Sequence, residues 1–207
     1  MHANRFDKLK ISIRYWLLGR GFTRSLEAME FAMERSTGFR KDGVTPEFQH
    51  QLEIVSHLRT LPLLEPERTI TVMFLHDVVE DHGVRIEEIE SRFGKDVSWP
   101  VWLLSKEVDG LKKPADRYFK EIGGCPVASI GKGVDRVNNM GSMVGAFTLA
   151  GQQHYLREVR DHFFPMLKRA RRIFPGQEAA YENVKLVLEN QVRLVEAIHR
   201  LEPGIKG

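Results

Sequence analysis

Phe74-Leu75-His76-Asp77-Val78-Val79-Glu80-Asp81 sets an imidazole beside a carboxylate at the end of an apolar run and places two more carboxylates one turn on. Val72, Met73 and Phe74 lead into the polar pair, so the ligand-type residues stand at the edge of a core. With 3.6 residues per turn, His76 and Glu80 share a helix face at i, i+4, and so do Asp77 and Asp81. The spacing predicts ligands and proton carriers turned into one cavity. Gly83 stops the helix just beyond the acids, which leaves Glu80 and Asp81 against the negative end of the helix dipole at a cost of roughly 0.3–1 kcal/mol each. A bound cation would offset that cost.

Working outward, the periodicity is helical almost everywhere and no segment alternates convincingly as a strand. Leu9, Ile13, Trp16 and Leu17 space as one helix face, Gly19-Arg20-Gly21 breaks it, and Ser25 opens a segment with Leu26, Met29, Phe31, Ala32 and Met33. Thr37 to Val44 reads as a loop. Pro46 is expected to start a helix carrying His50, Pro62 to end it, and Pro66 to start the helix that rises through Ile70 and Met73 to His76 and Asp77. Ile86, Ile89 and Phe93 mark a short helix, and Val127 to Met143 a longer one that carries Asp135. Pro165 should kink or restart a helix. Tyr181, Val184, Leu188, Val195 and Ile198 form a stripe interrupted by Gln191, which suits packing on the main body, with a homo-oligomer contact as the alternative. The expected architecture is an all-α helical bundle with a site between helices. It is read as one domain over 1–207, with a motif core of about 26–143 and a C-terminal helical extension of about 150–202.

The chain has 207 residues, 42% of them hydrophobic and 29% charged, enough for one sizeable core without disulfide or metal staples. A net charge of +3 and a pI near 9.0 favour anionic ligands weakly and do not call for nucleic acid. The basic run Lys168, Arg169, Arg171, Arg172 reads as a solvated face. Cys125 stands alone, without paired zinc spacing, and a reducing, cytoplasmic setting is expected. No stretch approaches eighteen apolar residues and the first residues lack the apolar core of a signal peptide, so neither membrane insertion nor export is expected.

The ligand types define a chemistry. Imidazoles from His50 and His76 with carboxylates from Asp77 and Asp135 make a mixed nitrogen and oxygen set suited to a divalent ion such as Mn²⁺, with Fe²⁺, Co²⁺, Zn²⁺ or Ni²⁺ as alternatives. The lack of thiolates argues against structural zinc. Two adjacent ligands cannot enclose an ion, so His50 and Asp135 must come from other helices. Such a site lowers the pKa of water and polarises a phosphoryl oxygen, and Glu80 and Asp81 would handle protons.

Four blocks, covering roughly residues 26–143, carry a family resemblance. Arg40-Lys41-Asp42-Gly43, His50, Leu75-His76-Asp77-Val78-Val79-Glu80-Asp81 with Phe93-Gly94-Lys95-Asp96-Val97, and Lys132-Gly133-Val134-Asp135-Arg136-Val137-Asn138-Asn139-Met140 fall in order. The chain resembles the HD-domain metal-dependent phosphohydrolases, and within them the hydrolase domain of Rel/SpoT alarmone enzymes and small stand-alone hydrolases. The resemblance implies hydrolysis of the 3′-pyrophosphate of guanosine tetra- or pentaphosphate, giving GDP or GTP and pyrophosphate, with manganese as the usual metal. Carried over by position, it implies that His50, His76, Asp77 and Asp135 bind the ion. Glu80 and Asp81 would position water and serve the leaving group, Arg40 would stack on the base, and Lys41 and Asn139 would reach sugar or phosphates. A guanidinium plane suits stacking, and an ammonium suits phosphate as a point charge.

Three positions depart from the family pattern: Gln51 follows His50 where proline is usual, His82 follows Asp81 where threonine is common, and Asn138 stands where histidine is frequent. None removes an expected ligand. His82 is expected on the outside and His57 in a supporting or simply satisfied role. The chain has no room for the synthetase and regulatory domains of larger relatives, so a hydrolase-only protein is expected. The rival readings are another HD nucleotidase or (d)NTP phosphohydrolase, and a non-catalytic nucleotide-binding protein on the same scaffold.

Overall fold

The computed structural model describes residues 2–108 and 110–201, with side chains from Arg5 onward; Glu202, the last residue of the expected extension, lies outside the described residues. The helices are α1 (His2–Arg20), α2 (Thr23–Met33), α3 (Gln49–Leu58), α4 (Pro66–Leu75), α5 (Val78–His82), α6 (Ile86–Phe93) and α7 (Lys95–Leu104). A short antiparallel hairpin follows, β1 (Glu107–Val108) with β2 (Leu111–Lys112). Then come α8 (Ala115–Ile122), α9 (Pro126–Ser142), α10 (Leu149–Glu158), a π-helical turn (Val159–Phe163), α11 (Phe164–Ile173), a 3₁₀ turn (Pro175–Gln177) and α12 (Glu178–Leu201). The fold is all-α apart from the hairpin. No helix among the described residues is long and apolar enough to cross a membrane.

α4 is the central element. Pro66 opens it at a position where a missing N–H costs nothing, and every residue from Thr69 to Leu75 is buried. Ile70, Val72, Met73, Phe74 and Leu75 are fully buried, and each contributes roughly 1.5–3 kcal/mol. Its two threonines remain satisfied inside: Thr69 Oγ1 donates to Glu65 O at 2.8 Å and Thr71 Oγ1 to Glu67 O at 2.8 Å. α2, α3, α7 and α9 pack around it, and α9 also packs on α3 and α12. α9 comes close to α4 at Gly131, where a β-carbon would collide with the Met73 thioether. One helical turn beyond that approach stands Asp135, and one turn beyond Met73 stands His76.

Two helix boundaries differ from the sequence expectation. The helix expected to run from Pro66 past Asp81 breaks at His76-Asp77 and restarts as α5. His76 Nδ1 donates to Met73 O at 2.8 Å, the carbonyl that the next helical turn would have used. Glu80 and Asp81 therefore sit in the first turn of a new short helix, and the expected dipole penalty does not arise. Pro46 does not start α3. It pairs with Phe39 across a bridge, supported by Arg40 N donating to Thr45 O at 2.8 Å and Glu47 N donating to Gly38 O at 3.0 Å, and α3 begins at Gln49. Pro165 sits in the first turn of α11, directly after the π-helical turn. On α12, Tyr181, Val184, Leu188 and Val195 are buried, and Gln191 Nε2 in the same stripe donates to Val137 O of α9 at 3.0 Å.

Candidate metal centre and nucleotide cavity

α3, the α4–α5 junction and α9 each deliver ligand-type side chains to one buried point. His50 Nε2 lies 3.1 Å from Asp135 Oδ1 and 3.8 Å from Asp77 Oδ2, and His76 Nε2 lies 3.0 Å from Asp77 Oδ1 and 4.0 Å from Asp135 Oδ1. His50, His76 and Asp135 offer ligand atoms all within 4.8 Å of one another, and all three are buried. The helix break matters here, because the turn at His76-Asp77 lets adjacent residues face the same point.

The donor set fits a divalent cation on observations of this protein. His76 Nε2 is buried, and it lacks a hydrogen-bond partner although Asp77 Oδ1 lies 3.0 Å away. Its other ring nitrogen donates to a backbone carbonyl, which leaves Nε2 directed at the cluster, where a cation that displaces its proton would meet a lone pair. A buried lone pair beside two carboxylates is what a cation satisfies.

The electrostatics favour positive charge at this point. Burial lowers the pKa of His76, and the carboxylates of Asp77 and Asp135 overcome it, holding the imidazole at about 9. Burial raises Asp135, but Lys132, His50 and His76 hold it well below the usual carboxylate range. Asp77 is likewise lowered by His76 and His50 against burial. Lys132 Nζ contacts Asp135 Oδ2 at 2.9 Å, and Asn139 Nδ2 donates to Asp135 Oδ1 at 2.7 Å.

A cavity of about 360 Å³ opens over the cluster. Its floor includes His50, Asp77 and Asp135, and Arg40, Lys41, Lys132 and Asn139 bring positive charge and a carboxamide to its walls. The Arg40-Lys41-Asp42-Gly43 loop is held by Asp42, whose Oδ1 accepts from Val44 N at 3.0 Å and Thr45 N at 2.9 Å, while Gly43 turns the chain at φ 72°. Arg40 Nη2 donates to Asn139 Oδ1 at 3.0 Å, and Lys41 Nζ lies 4.2 Å from the Phe147 ring centroid.

The two acids of the motif diverge. Asp81 lines the cavity, and burial followed by the charges of Asp77, Glu80 and Glu47 raises its pKa. Glu80 is not among the lining residues; its Oε1 accepts from the backbone amides of Lys106 and of Glu107, the latter at 2.9 Å, at the start of the hairpin. The expectation that His76 and Glu80 share a face of one helix is corrected by the break between them. His82 is half-buried rather than outside, with Nε2 at 3.2 Å from Ser36 Oγ and 3.5 Å from Glu47 Oε1, behind the wall that Glu47 lines. His57 pairs with Asn183 Oδ1 at 3.0 Å, outside the cavity.

Several lining residues were given no role from the sequence. Gln51 Nε2 donates to Asp77 Oδ2 at 3.2 Å. Phe147 and Tyr155 stack edge to face at 5.0 Å and close one side of the cavity. They come from the start of the C-terminal extension, where the Thr148 hydroxyl caps α10 by accepting from Gly151 N at 3.2 Å. Gln51 carried a signal, as the residue after the first ligand histidine; Phe147 and Tyr155 carried none.

The chain is similar to several known proteins. Residues 28–101 match the family model described as HD domain. A probable guanosine-3′,5′-bis(diphosphate) 3′-pyrophosphohydrolase of Synechocystis sp. is 28% identical over 147 residues, 67% of this chain and 19% of that protein. A GTP pyrophosphokinase rsh of Brucella melitensis is 31% identical over 87 residues, 42% of this chain and 10% of that protein. The chain thus spans a fifth or less of the length of these relatives. A solved structure described as a metazoan ortholog of SpoT that hydrolyzes ppGpp and plays a role in starvation responses superposes with a TM-score of 0.62 at 19% identity, covering 83% of this chain and 94% of that one. Residues 28–101, which include His50, His76 and Asp77, are thus similar to an HD domain, and the fold is similar to that of the metazoan protein. Over parts of its length the chain is similar to the Rel/SpoT-like proteins named above.

Proposed function

We propose that this chain hydrolyses the 3′-pyrophosphate of a guanosine tetra- or pentaphosphate alarmone, releasing pyrophosphate and GDP or GTP, with Mn²⁺ as the divalent ion. The observation that carries the proposal is the convergence of two imidazoles and two carboxylates, one imidazole nitrogen orphaned, beneath a cavity walled by Arg40, Lys41 and Asn139. The Synechocystis and Brucella relatives support the choice of nucleotide.

In this reading His50, His76, Asp77 and Asp135 hold the ion, which when bound supplies Lewis acidity at the scissile phosphate and makes water a better nucleophile near neutral pH. Arg40, Lys41 and Lys132 offset phosphate charge, and Asn139, tied to both Arg40 and Asp135, keeps the cationic wall in register with the ligands. Phe147 and Tyr155 offer apolar faces for the base or ribose. Asp81 exchanges the proton: its raised pKa suits a carboxyl that protonates the departing 3′ oxygen. Glu80 acts through the backbone it holds at Lys106 and Glu107.

Product analysis tests the proposal. With a divalent ion present, guanosine tetraphosphate should give GDP and pyrophosphate in equal amounts. Orthophosphate as the product, or turnover of nucleoside triphosphates with the tetraphosphate left intact, would assign the site to a different nucleotide.

A further inference from the structure

Asn138 stands one turn beyond Asp135 on α9, and Glu53 one turn beyond His50 on α3, so each of two facing helices presents a metal-type ligand and, three residues on, a polar side chain. The second pair is in contact. His50 Nδ1 and Asn138 Oδ1 are 2.7 Å apart, and Asn138 Nδ2 donates to Glu53 Oε2 at 2.8 Å. Glu53 is held in turn by Gln49 Nε2 at 3.0 Å and Arg5 Nη2 at 2.9 Å, both on Oε1.

The carboxylate decides the orientation of the amide. With Asn138 turned the other way, its oxygen would meet the Glu53 carboxylate, two acceptors in contact. Its oxygen therefore faces His50, and the only donor left for that contact is the Nδ1–H of the imidazole. His76 secures the same tautomer from a carbonyl of its own helix, Met73 O. For His50 the support comes from a different helix, through two side chains.

We infer that Asn138 and Glu53 are a positioning pair for His50: Glu53 orients the Asn138 carboxamide, and the carboxamide holds the imidazole with Nδ1 as donor and Nε2 presented to Asp77 and Asp135. The inference rests on the metal-site reading above and assigns a role to Asn138, a position where the sequence departs from the family pattern. Neither residue touches substrate in this role. Removing the orienting partner of a metal-ligand histidine costs roughly 10–100-fold in metal affinity.

The test is Mn²⁺ affinity by calorimetry on metal-stripped full-length protein, for wild type, N138L and the double variant N138D/E53Q. The double variant keeps an acceptor against His50 Nδ1 and a hydrogen-bonded pair behind it, with the charge moved by one residue. Expected results are at least a tenfold loss for N138L and recovery to within about threefold of wild type for N138D/E53Q, the range of a retained hydrogen bond to the ligand. Because the double variant keeps the polar pair, a fold failure confined to N138L leaves it to decide, with E53L expected to lose at least tenfold. The inference is overturned if the leucine variants bind within twofold of wild type, or if N138D/E53Q binds no better than they do. Absence of Mn²⁺ binding by wild type would instead defeat the metal-site reading itself.

Discussion

Replacing Lys132 by methionine should separate the electrostatic design of the centre from its packing. Lys132 Nζ lies 2.9 Å from Asp135 Oδ2, and the Asp135 side chain is only 7% exposed. Methionine retains most of the apolar stem, so the change removes mainly charge. Breaking one partner from a buried ion pair costs about 3–5 kcal/mol. Asp135 would keep Asn139 Nδ2 at 2.7 Å and His50 Nε2 at 3.1 Å on its other oxygen, and Lys132 is itself 18% exposed, so the low end applies. In a domain of this size about 3 kcal/mol corresponds to a fall in Tm of roughly 6–12 °C. Calorimetry on metal-stripped protein reads that directly. Saturating Mn²⁺ should restore much of the loss, because the ion supplies the charge that Lys132 gave, so the metal-induced rise in Tm should be larger in K132M than in wild type. A metal-free K132M melting within about 2 °C of wild type, less than the shift expected for 1 kcal/mol, or gaining no more from the ion, would refute the reasoning.

D77A should lose both ion binding and turnover, since Asp77 faces both imidazoles; retained Mn²⁺ affinity by calorimetry would count against its place in the ligand set. D81N should keep the ion and lose about 10²–10⁴-fold in kcat, whereas E80Q, whose amide oxygen can still accept from Lys106 and Glu107, should lose less than about tenfold. Steady-state kinetics would expose a reversal of that order. Tyr181 is pushed up to about 12 by burial, with its hydroxyl paired to Ser129 and Gln177. The folded state then holds a proton that the unfolded chain releases above about pH 10, so its contribution is whole below that pH and is lost as pH rises toward 12. Denaturant titrations should therefore show wild type losing roughly 2–3 kcal/mol more than Y181F across that window, and parallel curves would contradict this.

The candidate ligands stood out because their chemistry is local: His50, His76, Asp77 and Asp135 differ sharply from the apolar faces in which they are set. Helical periodicity likewise exposed the all-α class. The break at His76-Asp77 was hidden, since hydrophobic spacing continues through it and the cause is a side chain taking a backbone carbonyl. Glu80 turned away from the cavity for a reason that lies 26 and 27 residues later, in the amides of Lys106 and Glu107. Phe147 and Tyr155 reach the cavity by tertiary packing alone, and no motif announces them. Gln51 and Asn138 were visible as departures from a pattern, but their partners Asp77 and Glu53 emerge only when α3, α9 and the α4–α5 junction are brought together.

The most direct measurement is a time course of guanosine tetraphosphate with metal-stripped protein, with and without added Mn²⁺, its products resolved by ion exchange. The account predicts no cleavage without the ion, and GDP with an equal amount of pyrophosphate once it is added. Equal cleavage in both arms, or an intact nucleotide in the presence of bound Mn²⁺, would contradict it.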